Sequence, residues 1–144
     1  MSDFDDLIRA SLQTANAGFQ QADTDLNDVV RQVSESISRV SGGKVSLRLV
    51  VLSDKPEQRI YQAQVVSGKQ AAEVEGSNFA VTTNGYPILV GIPTVDFASQ
   101  NFDVSAMQPL NDKAAIEAHF RSQLATPDSP LVFKVAFFSR NQKK

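Results

Sequence analysis

Residues 3–41 are DFDDLIRASLQTANAGFQQADTDLNDVVRQVSESISRVS. At about 100° per residue, the apolar side chains of this stretch fall in one arc of roughly 140° that does not drift along the chain. A strict 3.5-residue repeat would shift the stripe by roughly 20° per heptad. The pattern therefore predicts a straight amphipathic helix lying on a surface, and not a long two-stranded coiled coil. The stripe consists of Phe4, Leu7, Ile8, Leu12, Ala15, Phe19, Ala22, Leu26, Val29, Val30, Val33, Ile37 and Val40.

The middle of this helix is its weakest part. Gly18 costs about 1 kcal/mol relative to alanine in a helix, and several polar residues that form helices poorly surround it. A break between Gly18 and Thr24, with Asp23 or Thr24 capping a second helix, is the alternative. We favour one helix over residues 1–41 because the apolar phase passes through this region without a slip.

Residues 44–92 predict antiparallel strands joined by hairpins. Lys44–Leu52 alternates at period two, and Gly68-Lys69 and Asn84-Gly85 are each typical of a tight hairpin turn. The first turn gives one face of the hairpin to apolar residues and the other, with Glu73 and Glu75, to water. The pairs that this turn predicts are Val65 with Ala72, Gln64 with Glu73, Ala63 with Val74, and Gln62 with Glu75.

The second half of the chain predicts a loop, a helix and a last strand. Residues 93–110 follow no period and predict a long loop. Residues 111–125 predict a helix capped by Asn111. Residues 131–140 are apolar on both faces apart from Lys134, which is typical of a strand in the centre of a sheet.

The order of these elements is α-β-β-β-β-α-β. It predicts an α+β fold in which helices cover a mostly antiparallel sheet of about five strands. With 144 residues, 42% of them apolar and 21% charged, the chain has the size and composition of a single globular domain, residues 1–144.

Composition excludes several kinds of chemistry. The chain contains no cysteine, which excludes disulfides, thiolate metal ligands and cysteine nucleophiles. The acidic first residues and the lack of a long apolar run predict a cytoplasmic protein that does not enter the membrane. A net charge of −2, with aromatic residues not interleaved with basic ones, argues against nucleic-acid binding.

No catalytic, metal-binding or nucleotide-binding motif is present, and we predict neither a metal nor a cofactor. His119 is the single histidine and borders the apolar stripe of the second predicted helix, where a packing role is the usual one. Glu73 and Glu75 would share one strand face, which suits acid–base chemistry, but the predicted register leaves them in water. An enzyme would have to use His119 with Asp96 or Asp103 from the long loop.

Two non-enzymatic functions remain. A continuous helix of residues 3–40 would be roughly 57 Å long, whereas a globule of the remaining hundred residues spans only about 35 Å. The apolar stripe would therefore extend beyond the domain. This predicts a protein-interaction module that forms a homo-oligomer, most simply a dimer, and that binds a further, unidentified protein. The predicted interface residues are Phe4, Leu7, Ile8 and Leu12.

The alternative is a small-molecule sensor or carrier. Its apolar pocket would lie between the sheet and the loop of residues 93–110. Instead of binding a ligand or a partner, the apolar residues of this loop could fix the loop to the core. The ligand- or partner-binding residues predicted on this surface are Tyr86, Phe97, Phe102 and Met107.

Overall fold

A computed structural model describes residues 3–96, 98 and 101–140 of the chain. Helix α1 (Asp3–Val40) is one uninterrupted helix of 38 residues, as the apolar phase predicted. Its buried residues begin only at Ala22, and before them only Gly18 and Phe19 are partly buried. The buried residues are Ala22, Asp25, Leu26, Val29, Val30 and Ile37.

Five antiparallel strands form the main sheet, in the spatial order β1-β2-β3-β4-β7. Two short strands, β5 and β6, form a separate hairpin. This arrangement confirms the predicted α+β class with a five-stranded antiparallel sheet. The strands are β1 (Ser46–Lys55), β2 (Gln58–Ser67), β3 (Gln70–Thr82), β4 (Gly85–Gly91), β5 (Thr94–Asp96), β6 (Asn101–Asp103) and β7 (Gln108–Leu110).

The β2–β3 hairpin has the predicted register only near its turn. Val65 lies opposite Ala72 and Gln64 opposite Glu73, as predicted. Gln62, however, lies opposite Asn78 and not opposite Glu75, because β3 bulges between these pairs. Gly76 has a φ of 81° in this bulge, a conformation that glycine adopts without strain. The predicted pair of Gln62 with Glu75 is therefore wrong, and Ala63 lies at the point where the register shifts.

The segment 93–110 is more ordered than the predicted structureless loop. It contains the β5–β6 hairpin and strand β7, which pairs with β4. Met107 is buried with Ile60 and Ala80, and Phe102 packs against the same small cluster. The segment therefore covers part of the second face of the sheet. The sequence did not predict this, because residues 93–110 follow no period.

Helix α2 (Lys113–Ala125) begins one residue later than predicted. Its N-cap is Asp112, whose side chain accepts a hydrogen bond of 2.9 Å from the Ala115 backbone N–H, and not Asn111. The helix contributes Ile116 and Phe120 to the core.

Residues 131–140 form a helix, α3 (Pro130–Arg140), and not the predicted final strand. Pro130 has a φ suited to the first helical turn, and the Ser129 hydroxyl accepts a hydrogen bond of 3.2 Å from the Val132 N–H. The buried residues are Leu131 and Phe138, seven positions apart and so on one side of a helix. A stretch that is apolar on all sides is compatible with a helix as well as with a central strand, so its pattern alone does not distinguish the two.

One face of the sheet carries all three helices. The main core contains residues of α1, α2 and α3 together with residues of β1 to β4. The opposite face carries the small cluster under residues 102–107 and, elsewhere, polar side chains such as Gln62 and Glu73, which hydrogen-bond at 2.9 Å. No helix within the described ranges is both long enough and apolar enough to cross a membrane.

Two glycines bring α1 against the β3–β4 turn. A Cβ atom on Gly85, whose φ is +87°, would lie 2.2 Å from the carbonyl oxygen of Gly18. A Cβ atom on Gly18 would lie 2.8 Å from the carbonyl oxygen of Asn84. The helix and the turn can approach this closely only because neither glycine has a side chain, which explains a glycine within a helix.

Candidate interaction surfaces

The first fifteen residues of α1 project from the body of the protein. We call residues 3–17 the N-terminal arm; every one of them is exposed, although Ala15 and Asn16 border a hollow beside the β1–β2 turn. Gly18 and Phe19, which follow the arm, contact the body. At 1.5 Å per residue the arm is about 22 Å long. This length agrees with the overhang that the sequence predicted.

The arm carries the four predicted interface residues on one side. The exposed fractions are 74% for Phe4, 61% for Leu7, 57% for Ile8 and 56% for Leu12. Their charged neighbours are acidic apart from Arg9, which lies 3.5 Å from Asp6 in an exposed ion pair. The arm is therefore an amphipathic helix whose apolar side meets no core.

Side-chain contacts with the sheet hold the part of α1 that directly follows the arm. The Arg59 guanidinium donates two hydrogen bonds of 3.1 Å to Asp54 and lies 5.2 Å from the Phe19 ring centroid. The hydrogen bonds to Asp54 are the main reason why the pKa of Arg59 is raised. The Tyr61 hydroxyl donates to Asp23 on α1. These contacts fix the direction in which the arm projects.

The structure separates the predicted ligand-binding residues. Tyr86 faces α1, and its hydroxyl donates a hydrogen bond of 2.7 Å to the buried Asp25. Phe102 and Met107 pack in the small cluster on the opposite face of the sheet. Phe97 lies outside the described residues. Tyr86 therefore shares no pocket with Phe102 and Met107, whose contacts are those of residues that fix a loop to the core.

Buried surroundings define the chemistry of Tyr86. Burial first, and then the hydrogen bond to Asp25, raise the pKa of its hydroxyl well above the usual range. Gln21 donates a second hydrogen bond of 2.9 Å to Asp25. Tyr86, Asp25 and Gln21 thus form a hydrogen-bonded contact between helix and sheet. This contact keeps the Tyr86 hydroxyl protonated.

His119 lies in an aromatic environment. Its ring makes edge contacts with Phe79 and Phe120, and its Nε2 is 3.1 Å from the Ser77 hydroxyl. Ser77 has no exposed surface, so no substrate could reach this hydroxyl. Among the described residues no group of three or more histidine or acidic side chains could hold a metal ion. The arrangement suits packing better than acid–base or nucleophilic catalysis.

The acidic residues predicted to assist His119 do not strengthen an enzymatic interpretation. Asp103 is exposed and accepts a hydrogen bond of 2.9 Å from the Ser105 backbone N–H, the main reason why its pKa is lowered. The side chain of Asp96 lies outside the described part of the structure. Asp103 thus acts as a turn residue in its loop.

Burial also makes a test of His119 possible. Burial lowers the pKa of His119 below 6.5, because the interior disfavours the charged imidazole. As the pH falls, His119 is protonated in the unfolded chain at a higher pH than in the folded protein. The stabilisation that the neutral ring gives to the fold is therefore complete above about pH 6.5 and is lost as the pH falls through the lowered pKa. We expect the wild type to lose more unfolding free energy than His119→Gln between pH 7.5 and pH 5.5. Urea denaturation of both proteins at the two pH values measures this, and equal losses would contradict the expected burial of a neutral ring.

A groove that the sequence did not predict lies between the three helices. We call it the three-helix groove; it has a volume of about 480 Å³ and opens where the last turns of α1 meet α2 and α3. A smaller hollow of about 190 Å³ adjoins it along α1 and α2, sharing Ser36 and Leu124. The groove is lined by Ser36, Ile37, Val40, Ser41, Lys44, Leu124, Val132, Val135 and Ser139.

Large apolar side chains remain exposed in and beside this groove. Val40 is 90% exposed at the end of α1, and Leu124 is partly exposed at the end of α2. Phe133 and Phe137 are exposed on the outer side of α3. Val40 belonged to the predicted apolar stripe, but the groove could not be foreseen because α3 was predicted as a strand.

Comparison with known proteins gives no match to a protein-family model, to a curated protein or to a solved structure. The functional interpretation therefore depends on the two apolar surfaces described above, the arm and the groove.

Proposed function

We propose that the protein is a non-enzymatic protein–protein interaction module that forms a homo-oligomer, most simply a dimer, through its N-terminal arm. The observation that carries the proposal is the exposed apolar side of the arm, with Leu7, Ile8 and Leu12 each more than half exposed. Burying a leucine or isoleucine side chain contributes about 1.5–3 kcal/mol. Covering this stripe with another protein surface would therefore lower the free energy of the protein.

A second copy of the chain is the partner that is always present. A two-fold axis gives each copy the same contact, so both arms are covered in one step. An additional protein partner would bind to the assembled module, and the exposed phenylalanines of α3 offer one surface for it. A cytoplasmic location is part of this proposal and is supported by the cysteine-free sequence.

The second candidate function is a small-molecule sensor or carrier. The space between the sheet and residues 93–110 offers little support for it, because Met107 fills that space and is itself buried. The three-helix groove is the better site, since about 480 Å³ lies within the range of ligand pockets. An apolar ligand bound there would stabilise the fold in proportion to its concentration.

Light scattering at micromolar concentration tests the proposed dimer. We expect the wild type to have twice the mass of one chain. Replacing Leu7 and Ile8 together by glutamate should raise the dissociation constant at least 100-fold, because it removes roughly 3 kcal/mol or more of apolar burial. The melting temperature of the remaining monomer should change little, since both residues are exposed in one chain.

Val51→Glu is the matched control for this experiment. Val51 is also an exposed aliphatic residue, but it lies on β1 away from the arm, so its replacement should leave the dimer intact. A monomeric wild type would refute the proposal. A dimer that persists in the Leu7→Glu/Ile8→Glu protein would refute it as well.

A further inference from the structure

We propose that the N-terminal arm of one copy occupies the three-helix groove of a second copy. This inference rests on the proposed dimer and specifies what the arm binds. The arm is an apolar helix surface without a core beneath it, and the groove is a mainly apolar surface that no helix of the described residues occupies. Each surface therefore supplies what the other lacks.

The two surfaces of one chain cannot meet. Both include residues of α1, with the arm at the beginning of this helix and the groove at its end. Leu12 and Val40 are 28 positions apart in this helix, so they are separated by about 42 Å. As long as α1 is continuous, the groove can receive an arm only from another copy.

The shapes agree with a helix that binds in a groove. In this mode of recognition, apolar side chains at i, i+3, i+4 and further turns of one helix enter a channel between other helices. The arm presents Phe4, Leu7, Ile8 and Leu12 with this spacing. Five of the nine residues that line the groove are aliphatic, namely Ile37, Val40, Leu124, Val132 and Val135.

The charges agree as well. The arm carries Asp3, Asp5 and Asp6 against Arg9, a balance of −2. Among the residues that line the groove, Lys44 is the one that carries a charge, and this charge is positive. Arg121 and Glu117 in the adjoining hollow cancel each other. An acidic helix would therefore enter a groove whose single charged lining residue, Lys44, is basic.

Exchange of arms also explains how the assembly closes. When each copy places its arm in the groove of the other, the two α1 helices are antiparallel and every arm and every groove is occupied. A reciprocal contact of this kind gives a closed dimer with two-fold symmetry and not a growing fibre.

A complementation experiment tests the exchange. The arm variant is Leu7→Glu/Ile8→Glu, and the groove variant is Val40→Glu/Leu124→Glu, which changes two side chains that are already largely or partly exposed. We expect each variant to be monomeric alone at a concentration at which the wild type is dimeric. A mixture of the two should form a heterodimer, because the intact arm of the groove variant fits the intact groove of the arm variant. Circular dichroism and thermal melts verify that both variants fold.

Cross-linking gives an independent measurement. Since the chain contains no cysteine, Ile8→Cys and Val40→Cys each introduce a single thiol. We expect a bismaleimide to join an Ile8→Cys chain to a Val40→Cys chain at least tenfold more efficiently than it joins two Ile8→Cys chains. The Val51→Cys chain, mixed with Ile8→Cys, serves as the control and should not be joined.

The outcomes separate this inference from the proposed function. A groove variant that dimerises like the wild type, while the arm variant does not, would show that arms pair with arms; the exchange would be wrong and the dimer right. A monomeric wild type would refute both. If the groove variant remains dimeric but loses binding of a fluorescent fatty acid that the wild type binds, the groove belongs to an anionic amphiphile and the exchange is again wrong.

Discussion

Replacing Gly85 by alanine is expected to destabilise the protein by about 3 kcal/mol or more. Two effects add at this position. The φ of +87° is unfavourable for any residue with a Cβ atom, and that atom would lie 2.2 Å from the carbonyl oxygen of Gly18. Moving either backbone segment would cost stability, because Gly18 lies within α1 and Gly85 begins β4.

Gly68→Ala is the matched control. Gly68 also has a positive φ, of +60°, in a hairpin turn, but nothing lies within 4 Å of the position that its Cβ would take. Its replacement should therefore cost only the conformational strain, about 1 kcal/mol. Urea denaturation of the two variants measures the difference. Equal losses would mean that α1 does not pack against the β3–β4 turn.

Alanine substitutions in α3 give the second large effect. Leu131→Ala and Phe138→Ala should each lower the unfolding free energy by about 2–5 kcal/mol, because both side chains are buried in the main core. Phe133→Ala and Phe137→Ala should each cost less than about 1 kcal/mol in the monomer, since both are well exposed. Measuring all four in the Leu7→Glu/Ile8→Glu protein avoids any contribution from assembly.

The pattern of these four values distinguishes a helix from a strand. In a strand, Leu131, Phe133 and Phe137 would share one face, and Phe138 would lie on the other. In the helix, Leu131 and Phe138 share a side and the other two phenylalanines point away from the core. Large losses at Leu131, Phe133 and Phe137 together with a small loss at Phe138 would support the strand and contradict α3.

The sequence predicted those elements whose pattern has one physical interpretation. In α1, thirteen apolar residues keep one phase over ten turns, and no strand or loop produces this. The Gly68-Lys69 turn fixes the pairing of Val65 with Ala72 because a two-residue loop leaves no freedom of register. The overhang followed from the same periodicity together with the size of the domain.

The remaining elements depend on contacts distant in sequence. No residue near Gln62 indicates that β3 bulges around Gly76, and this bulge makes Asn78 the partner of Gln62. Residues 131–140 are apolar on all sides, and only the final packing decides whether they form a strand or a helix. The three-helix groove could not be predicted before α3 was known, whereas the exposure of Leu7, Ile8 and Leu12 could.

The uncovered arm also links folding of the helix to concentration. Fifteen residues that include Thr14 and Asn16, joined to a core at one end only, form a helix that is marginal in water. In a dilute solution its first turns should therefore exchange their amide hydrogens quickly, and the rate should fall as the dimer forms. Hydrogen exchange at Leu7 and Ile8 would then report the fraction of assembled protein, while exchange at Leu26 in the core would not depend on concentration.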